Sequence, residues 1–335
     1  MTDGALDLDG TFGLHPRLQP LQPLWNNGSL AVVHACGSHD PTRSHFDAQD
    51  FMESAAPGDR SIRDGWLNRY LQVGLIADPL RGVAVTSTMP RALAGTGAAL
   101  SMASIEQFDL LGGAHGPGVA QLKRAYLGAT DSEFQEAALA AFEAMDELGA
   151  ITNDRYEPTG GAEYPDSPFG QALQDIAQLA KAEVGLEVAF AETSNWDHHV
   201  NEGGAEGQLA NRLDELATGI EALSVDLGAR LADTVIVTMS EFGRTVAENG
   251  NRGTDHGHGN VMLLAGGPVR GGTVYGTWPG LAESDRYDGR DLAVTTDFRD
   301  VFAELLTGHL GIGEVWLDQV LPGFTAPTPV GAVVF

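Results

Sequence analysis

The stretch from Thr234 to Gly259, TVIVTMSEFGRTVAENGNRGTDHGHG, concentrates ligand-type side chains in a few positions. Its loop Gly253-Thr254-Asp255-His256-Gly257-His258-Gly259 offers a carboxylate and two imidazoles between glycines that let the backbone fold tightly. Zinc and similar ions take such mixed oxygen and nitrogen ligands at ~2.0–2.2 Å. A polar turn whose histidines cap backbone carbonyls uses the same residue types, so the loop alone leaves both readings open. Upstream, Asp197-His198-His199 forms a second cluster. In an extended segment residues two apart point the same way, so Asp197 and His199 can share an ion while His198 faces solvent. Asn195 and Glu202 read as loop-structuring neighbours. Glu241 follows an apolar run and Ser240, at a place where a buried carboxylate needs compensation. Contact with metal, support of a ligand from behind and a plain Glu241–Arg244 ion pair all satisfy that need.

Thr42-Arg43-Ser44-His45 lies where a loop enters a helix. A hydroxyl there meets free backbone N–H groups and the positive end of the helix dipole, which suits a phosphate or sulfate anion. Ser44 reads either as a nucleophile activated by metal or as an N-cap with Asp47 three residues on. Arg43 reads as an oxyanion clamp or a surface arginine. His15, His34, His115 and His309 have no ligand-type pattern around them and read as ordinary core or surface residues.

These groups need elements to hold them. Leu30 to Ala35 (LAVVHA), Val83 to Thr88, Leu186 to Ala191, Thr234 to Met239 and Val261 to Ala265 read as strands from apolar runs or alternation. A short helix is expected around Leu18 to Trp25. Longer ones are expected from near Ser44, from Ile62 to Ile76, from Asp131 to Leu148 and from Phe169 to Leu179. Leu209, Leu213, Leu216, Ile220, Leu223 and Leu227 fall on one helical stripe, and Asp297 with Asp300 can cap a helix from Val301 to Thr307. Residues 89–118 read as loops with short elements, and Asn153 to Pro168 as a loop. Strand, helix and strand between Leu186 and Met239 predict a βαβ unit with parallel strands. Asp197, His199 and Glu241 then sit at the carboxyl ends of strands, where open parallel sheets bind ligands. A single α/β domain spanning 1–335, with helical insertions around 89–182, is the simplest organisation.

The 335 residues are 43% hydrophobic, and Lys+Arg 19 against Asp+Glu 46 gives a net charge of −27. Such acidity disfavours nucleic acid and anionic membranes as partners and leaves room for a divalent cation. No apolar run reaches the ~18 residues of a membrane span. Lys123 and Lys181 are the only lysines; with the abundant Ala, Gly and Asp, this looks like GC-rich coding. Cys36 is the one cysteine, at the end of an apolar run, and reads as a buried small hydrophobe. The chain as written shows no export signal, which leaves a cytoplasmic location as the expectation.

The segments HDPTRSHFDAQDFMES, NWDHHVNEGG, VTMSEFGRTVAENGNRGTDHGHGN and TTDFRDVFAELL, in this order, resemble a bacterial family catalogued as domain of unknown function fifteen-hundred-and-one. The likeness runs from about Gly10 to Pro322, and that family goes with the alkaline phosphatase and sulfatase superfamily. The resemblance implies a three-layer α/β/α sandwich with a central mostly parallel sheet. It also implies a two-metal site (Zn, Mn, Mg or Ca) that hydrolyses small-molecule phosphate or sulfate esters. By position Asp197 and His199 look like ligands of one metal, Glu241, Asp255, His256 and His258 like candidates for the rest, and Ser44, with Thr42 as runner-up, like the nucleophile. Relatives usually open with an apolar strand ending in Gly-Gly-x-Asp-Gly, often behind a twin-arginine export signal, and this chain as written starts downstream of both. Two expectations follow: a metal-dependent ester hydrolase, or a degenerate member that binds metal or ligand without turnover.

Overall fold

A computed structural model of the chain describes residues 4–74, 78–107, 117–128, 132–151, 156–324 and 326–334. The protein is mixed α/β and forms two compact units, one from 1–62 with 193–335 and the other from 63–192. The first unit begins with an antiparallel pair, β1 (Leu6–Asp7) and β2 (Gly13–Leu14). A helical turn leads to α1 (Gln22–Asn26), then β3 (Leu30–Gly37) and α2 (His45–Ser54). The second unit holds α3 (Trp66–Val73), β4 (Gly82–Val85), β5 (Leu100–Met102), α4 (Pro117–Leu127), α5 (Ser132–Ile151), α6 (Pro168–Lys181) and β6 (Val188–Phe190). The chain then returns to the first unit with α7 (Gln208–Leu227), β7 (Val235–Val237), β8 (Asn260–Gly266), β9 (Thr273–Tyr275) and β10 (Thr296–Asp297). It ends with α8 (Phe298–Glu304) and α9 (Leu317–Val320).

In the first unit β3 is the organising strand, because all eight of its residues are buried. One side of it pairs in parallel with β9, along Ala31 to Val33, and with β10, at Cys36 and Gly37. The other side pairs antiparallel with β8, which pairs antiparallel with β7. Ala35, at φ 47°, makes a bulge that shifts the register with β8 between His34 and Cys36. A bulge bends its strand, and this one lies just before the chain leaves for α2. The leucine stripe of α7 lies where its period requires: Ala217 and Ile220 join Leu30 and Val32 of β3 and Leu263 and Ala265 of β8 in one core. Each leucine, isoleucine or valine among them removed from water contributes about 1.5–3 kcal/mol, so the buried face holds α7 in place. Cys36 is 1% exposed and packs its Sγ on Met262. Burial, helped by Asp297 and Asp300, pushes its thiol up to about 12.

In the second unit β4 lies between β5 and β6, and all three run parallel. Ala144 and Leu148 of α5, with Ala172 and Leu179 of α6, cover Val83 and Val85 of β4. Phe142, Met145 and Leu148 are buried as the α5 stripe requires. The expected residues Leu75, Ile76, Asp131, 108–116 (with His115) and 153–155 lie outside the described ones. Among the described residues no helix is long and apolar enough to cross a membrane.

The expected βαβ unit is not formed. β6 pairs with β4 in the three-stranded sheet, whereas β7 pairs with β8 in the five-stranded one. Helix α7 follows β6 and precedes β7, but its stripe dictates only which face is buried. Strand β7 instead finds β8, the next strand along the chain, which returns beside it antiparallel. The five-stranded sheet is therefore mixed, and the three-stranded one is parallel.

Candidate metal centre

Three segments of the first unit meet here: the start of α2, the polar loop after Thr193, and the loop between β7 and β8. The last doubles back on itself. Thr245 N donates to Asp255 O, Gly257 N to Gly243 O, and Gly243 N to His258 O. Gly257 is required there, since a Cβ would lie 2.5 Å from the Arg244 backbone. Gly253 is required for a second approach: a Cβ would lie 2.4 Å from the carbonyl carbon of His199 and 2.5 Å from His198 O. Across that contact Thr254 N donates to His198 O, and Asn249 Nδ2 donates to both His199 O and Asp255 Oδ1. Gly253→Ala is expected to push the two loops apart and weaken divalent-metal affinity ~10–100-fold, as loss of a ligand's supporting contacts does. Isothermal titration with Zn(II) would check this, and unchanged affinity would remove the loop contact from the account.

The ligand-type atoms converge in a particular way. His256 Nδ1 lies 2.7 Å from Arg43 O, which can only accept, so Nδ1 carries the proton. His199 Nδ1 lies 2.9 Å from Asp255 Oδ1 and His45 Nδ1 lies 2.6 Å from Glu241 Oε1; both carboxylates are acceptors as well. In their neutral forms all three rings therefore present a bare Nε2 lone pair. Those three nitrogens gather around Asp197. His199 Nε2 and His256 Nε2 lie 2.9 and 3.2 Å from its Oδ1, and His45 Nε2 lies 3.4 Å from Oδ2. His199 Nε2 and His256 Nε2 are 3.0 Å apart. His45 Nε2 is buried without a hydrogen-bond partner. Atoms ~2.0–2.1 Å from a tetrahedral zinc stand ~3.3 Å from one another, so the spacing fits a metal ligand set. One ligand atom each from His45, Asp197 and His256 falls within 4.8 Å of the others.

Electrostatics at the centre favour an anionic Asp197. Partial burial pushes its carboxyl up, but Arg244, joined by the imidazoles of His199 and His256 in their protonated forms, outweighs this and holds it down at about 2. Arg244 reaches Asp197 Oδ1 with Nη1, while its Nε donates to Thr254 Oγ1 and its Nη2 to Thr254 O. The Glu241–Arg244 pair is replaced by Arg244–Asp197 and Glu241–His45.

The fold thus brings Asp197, His199 and His256 together, with Glu241 and Asp255 against the far nitrogens of His45 and His199. His258 lies apart. Beyond Gly257 the chain turns to a new neighbour, with Gly259 N donating to Leu292 O, and the His258 ring stacks on Tyr287 at 4.1 Å. Burial lowers its pKa. His198 is 7% exposed rather than facing solvent. The reason is local: Asp197 to His199 is turned, with His198 N donating to Trp196 O and His199 N to Asp197 O, so simple alternation does not apply.

Ser44 is the N-cap residue of α2, in extended conformation, and its side chain makes no capping bond. Thr42 Oγ1 accepts from Ser44 N at 3.2 Å. Arg43 is paired with Asp291 at 2.6 Å and Asp288 at 3.0 Å. The residue that sequence reasoning passed over is His45. Its place in the first turn of α2 was legible, but no ligand-type spacing near it singles it out. Phe242 packs on both His45 and His256, with ring centroids 4.9 Å away in each case.

Residues 9–313 match a family described as protein of unknown function (DUF1501). No curated protein and no solved structure matches the chain.

Proposed function

The chain belongs to the DUF1501 family, and from that premise we propose that it is a metal-dependent hydrolase of phosphate or sulfate esters. On this reading the architecture is the three-layer α/β/α form of the alkaline phosphatase and sulfatase superfamily. His45, Asp197, His199 and His256 hold a divalent cation such as Zn, Mn, Mg or Ca. The observation that carries the metal reading is the pair of Nε2 atoms 3.0 Å apart. Both rings have their protons committed at Nδ1, so two lone pairs face each other beside Asp197 Oδ1. A cation between them removes that repulsion.

A bound cation stabilises charge on the attacking and leaving oxygens of a displacement. The chain's own residues do the rest. Ser44, free of a capping bond and one residue before His45, is the candidate nucleophile. Its oxygen forms the bond to phosphorus or sulfur, its hydroxyl proton passing through solvent to the ester oxygen, which leaves with the bonding pair; water then cleaves the Ser44 ester and returns a proton to the serine oxygen. The first N–H groups of α2 face the same end of the helix and suit the non-bridging oxygens. Thr42, which holds the Ser44 backbone, is the alternative hydroxyl.

A second reading, binding without turnover, is favoured by one observation. The guanidinium of Arg43, the residue expected to clamp an oxyanion, is occupied by Asp288 and Asp291. Metal analysis of the purified protein, followed by assay on aryl phosphate and aryl sulfate with the metal restored, separates the two. Stoichiometric metal with hydrolysis that Ser44→Ala abolishes is the expected result. Metal without hydrolysis selects the binding reading, and no metal at all rejects both.

A further inference from the structure

We propose that Asp291 is a positioning residue of this centre, fixing the His256 imidazole through Arg43 and Arg290; the inference rests on the metal reading above. Asp291 is wholly buried at 0% exposure. Its Oδ2 accepts from Arg43 Nε at 3.1 Å and Nη2 at 2.6 Å. Arg290 reaches it too, Nε to Oδ1 at 2.8 Å and Nη2 to Oδ2 at 3.1 Å. Both arginines then touch His256. Arg43 accepts the Nδ1 proton with its backbone carbonyl at 2.7 Å, and Arg290 Nη2 donates to His256 O at 2.7 Å.

One buried carboxylate therefore braces the ring and the backbone of a single ligand. The Arg43 carbonyl is what commits the His256 proton to Nδ1 and leaves Nε2 for metal. That carbonyl stays in register only while the Arg43 side chain is anchored. Asp291 also offsets one of the two guanidinium charges beside a site that must accept a dication. Asp291 is the buried member of the set, while Arg43 and Arg290 are 31% and 44% exposed, so loss of the carboxylate frees both guanidinium groups to turn towards water. Asp288 differs, because its side chain is 61% exposed and it holds Arg43 alone.

The test uses the full chain and two readouts. Cobalt(II) titration followed by visible absorption gives affinity and ligand geometry, and a long-range 1H–15N imidazole spectrum of the metal-free protein gives the His256 tautomer. Asp291→Asn is expected to weaken cobalt binding ~10–100-fold, alter the absorption bands and lose the Nδ1–H form of His256. Asp288→Asn is expected to change neither readout. If Asp291→Asn does not fold, Arg290→Gln decides, since it removes the bond to His256 O but keeps the Arg43–Asp291 pair; a loss of ~10-fold is expected. Cobalt affinity and tautomer both equal to wild type in a folded variant overturn the inference. If the wild type binds no cobalt, the metal reading fails, and the tautomer alone then decides whether Asp291 orients His256.

Discussion

Asp197→Ala is expected to lower divalent-metal affinity by at least ~10²-fold. Structural zinc sites of four ligands bind with ~10–16 kcal/mol, so one ligand accounts for about 3 kcal/mol, or ~10² in affinity. The loss here exceeds that share, because Asp197 is the anion on which His45, His199 and His256 converge. Its removal also leaves the Arg244 cation, now unpaired, beside the incoming metal. His45→Ala is expected to cost a comparable amount. Glu241→Ala and Asp255→Ala, which remove the acceptor behind an imidazole, are expected to cost ~10–100-fold. His258→Ala is expected to leave metal affinity of the folded protein unchanged, because its ring lies on Tyr287. Isothermal titration of these variants ranks them. An Asp197→Ala protein that binds metal like wild type, or a His258→Ala protein that loses it, would place the ligand set elsewhere.

The largest effect on stability is expected at Glu304. Its side chain is buried in α8, at 4% exposure, and accepts the backbone N–H groups of Gly331, Ala332 and Val333. One turn earlier, Asp300 accepts from Thr328 N. These two acids hold a tail that otherwise has little regular pairing: Val333 bridges to Val269, and Arg270 N donates to Ala332 O. A buried donor left without a partner costs about 1–3 kcal/mol. Glu304→Ala orphans three donors, two of them buried, unless the tail peels away, and peeling exposes Ala332 and Val333, which are 0% and 1% exposed. Two buried donors at that cost put the expected loss at ~2–6 kcal/mol, with peeling taken where it costs less. Urea unfolding with limited proteolysis reads both: a lower midpoint, and early cleavage after residue 323. Wild-type stability with a protected tail would mean that water replaces the carboxylate without loss.

The sequence alone determined the local features of this protein. The apolar run at Leu30 became the buried strand β3, the stripe from Leu209 to Leu227 became α7, and Cys36 proved buried at 1%. A side chain's period along its own element fixes which face is covered, and that information lies within a few residues. Residue types likewise marked Asp197, His199 and His256 as ligand-type groups. Tertiary structure decided everything that depends on a distant partner. It sent β6 and β7 to different sheets, because a helical stripe between two strands does not specify which strands they join. It separated the acids, because whether a carboxylate meets the Nε2 atoms of several imidazoles, as Asp197 does, or the Nδ1 of one, as Glu241 and Asp255 do, depends on ångström-scale placement across loops. It also brought His45 to Asp197 from 152 positions away in the chain, a meeting that no local spacing encodes.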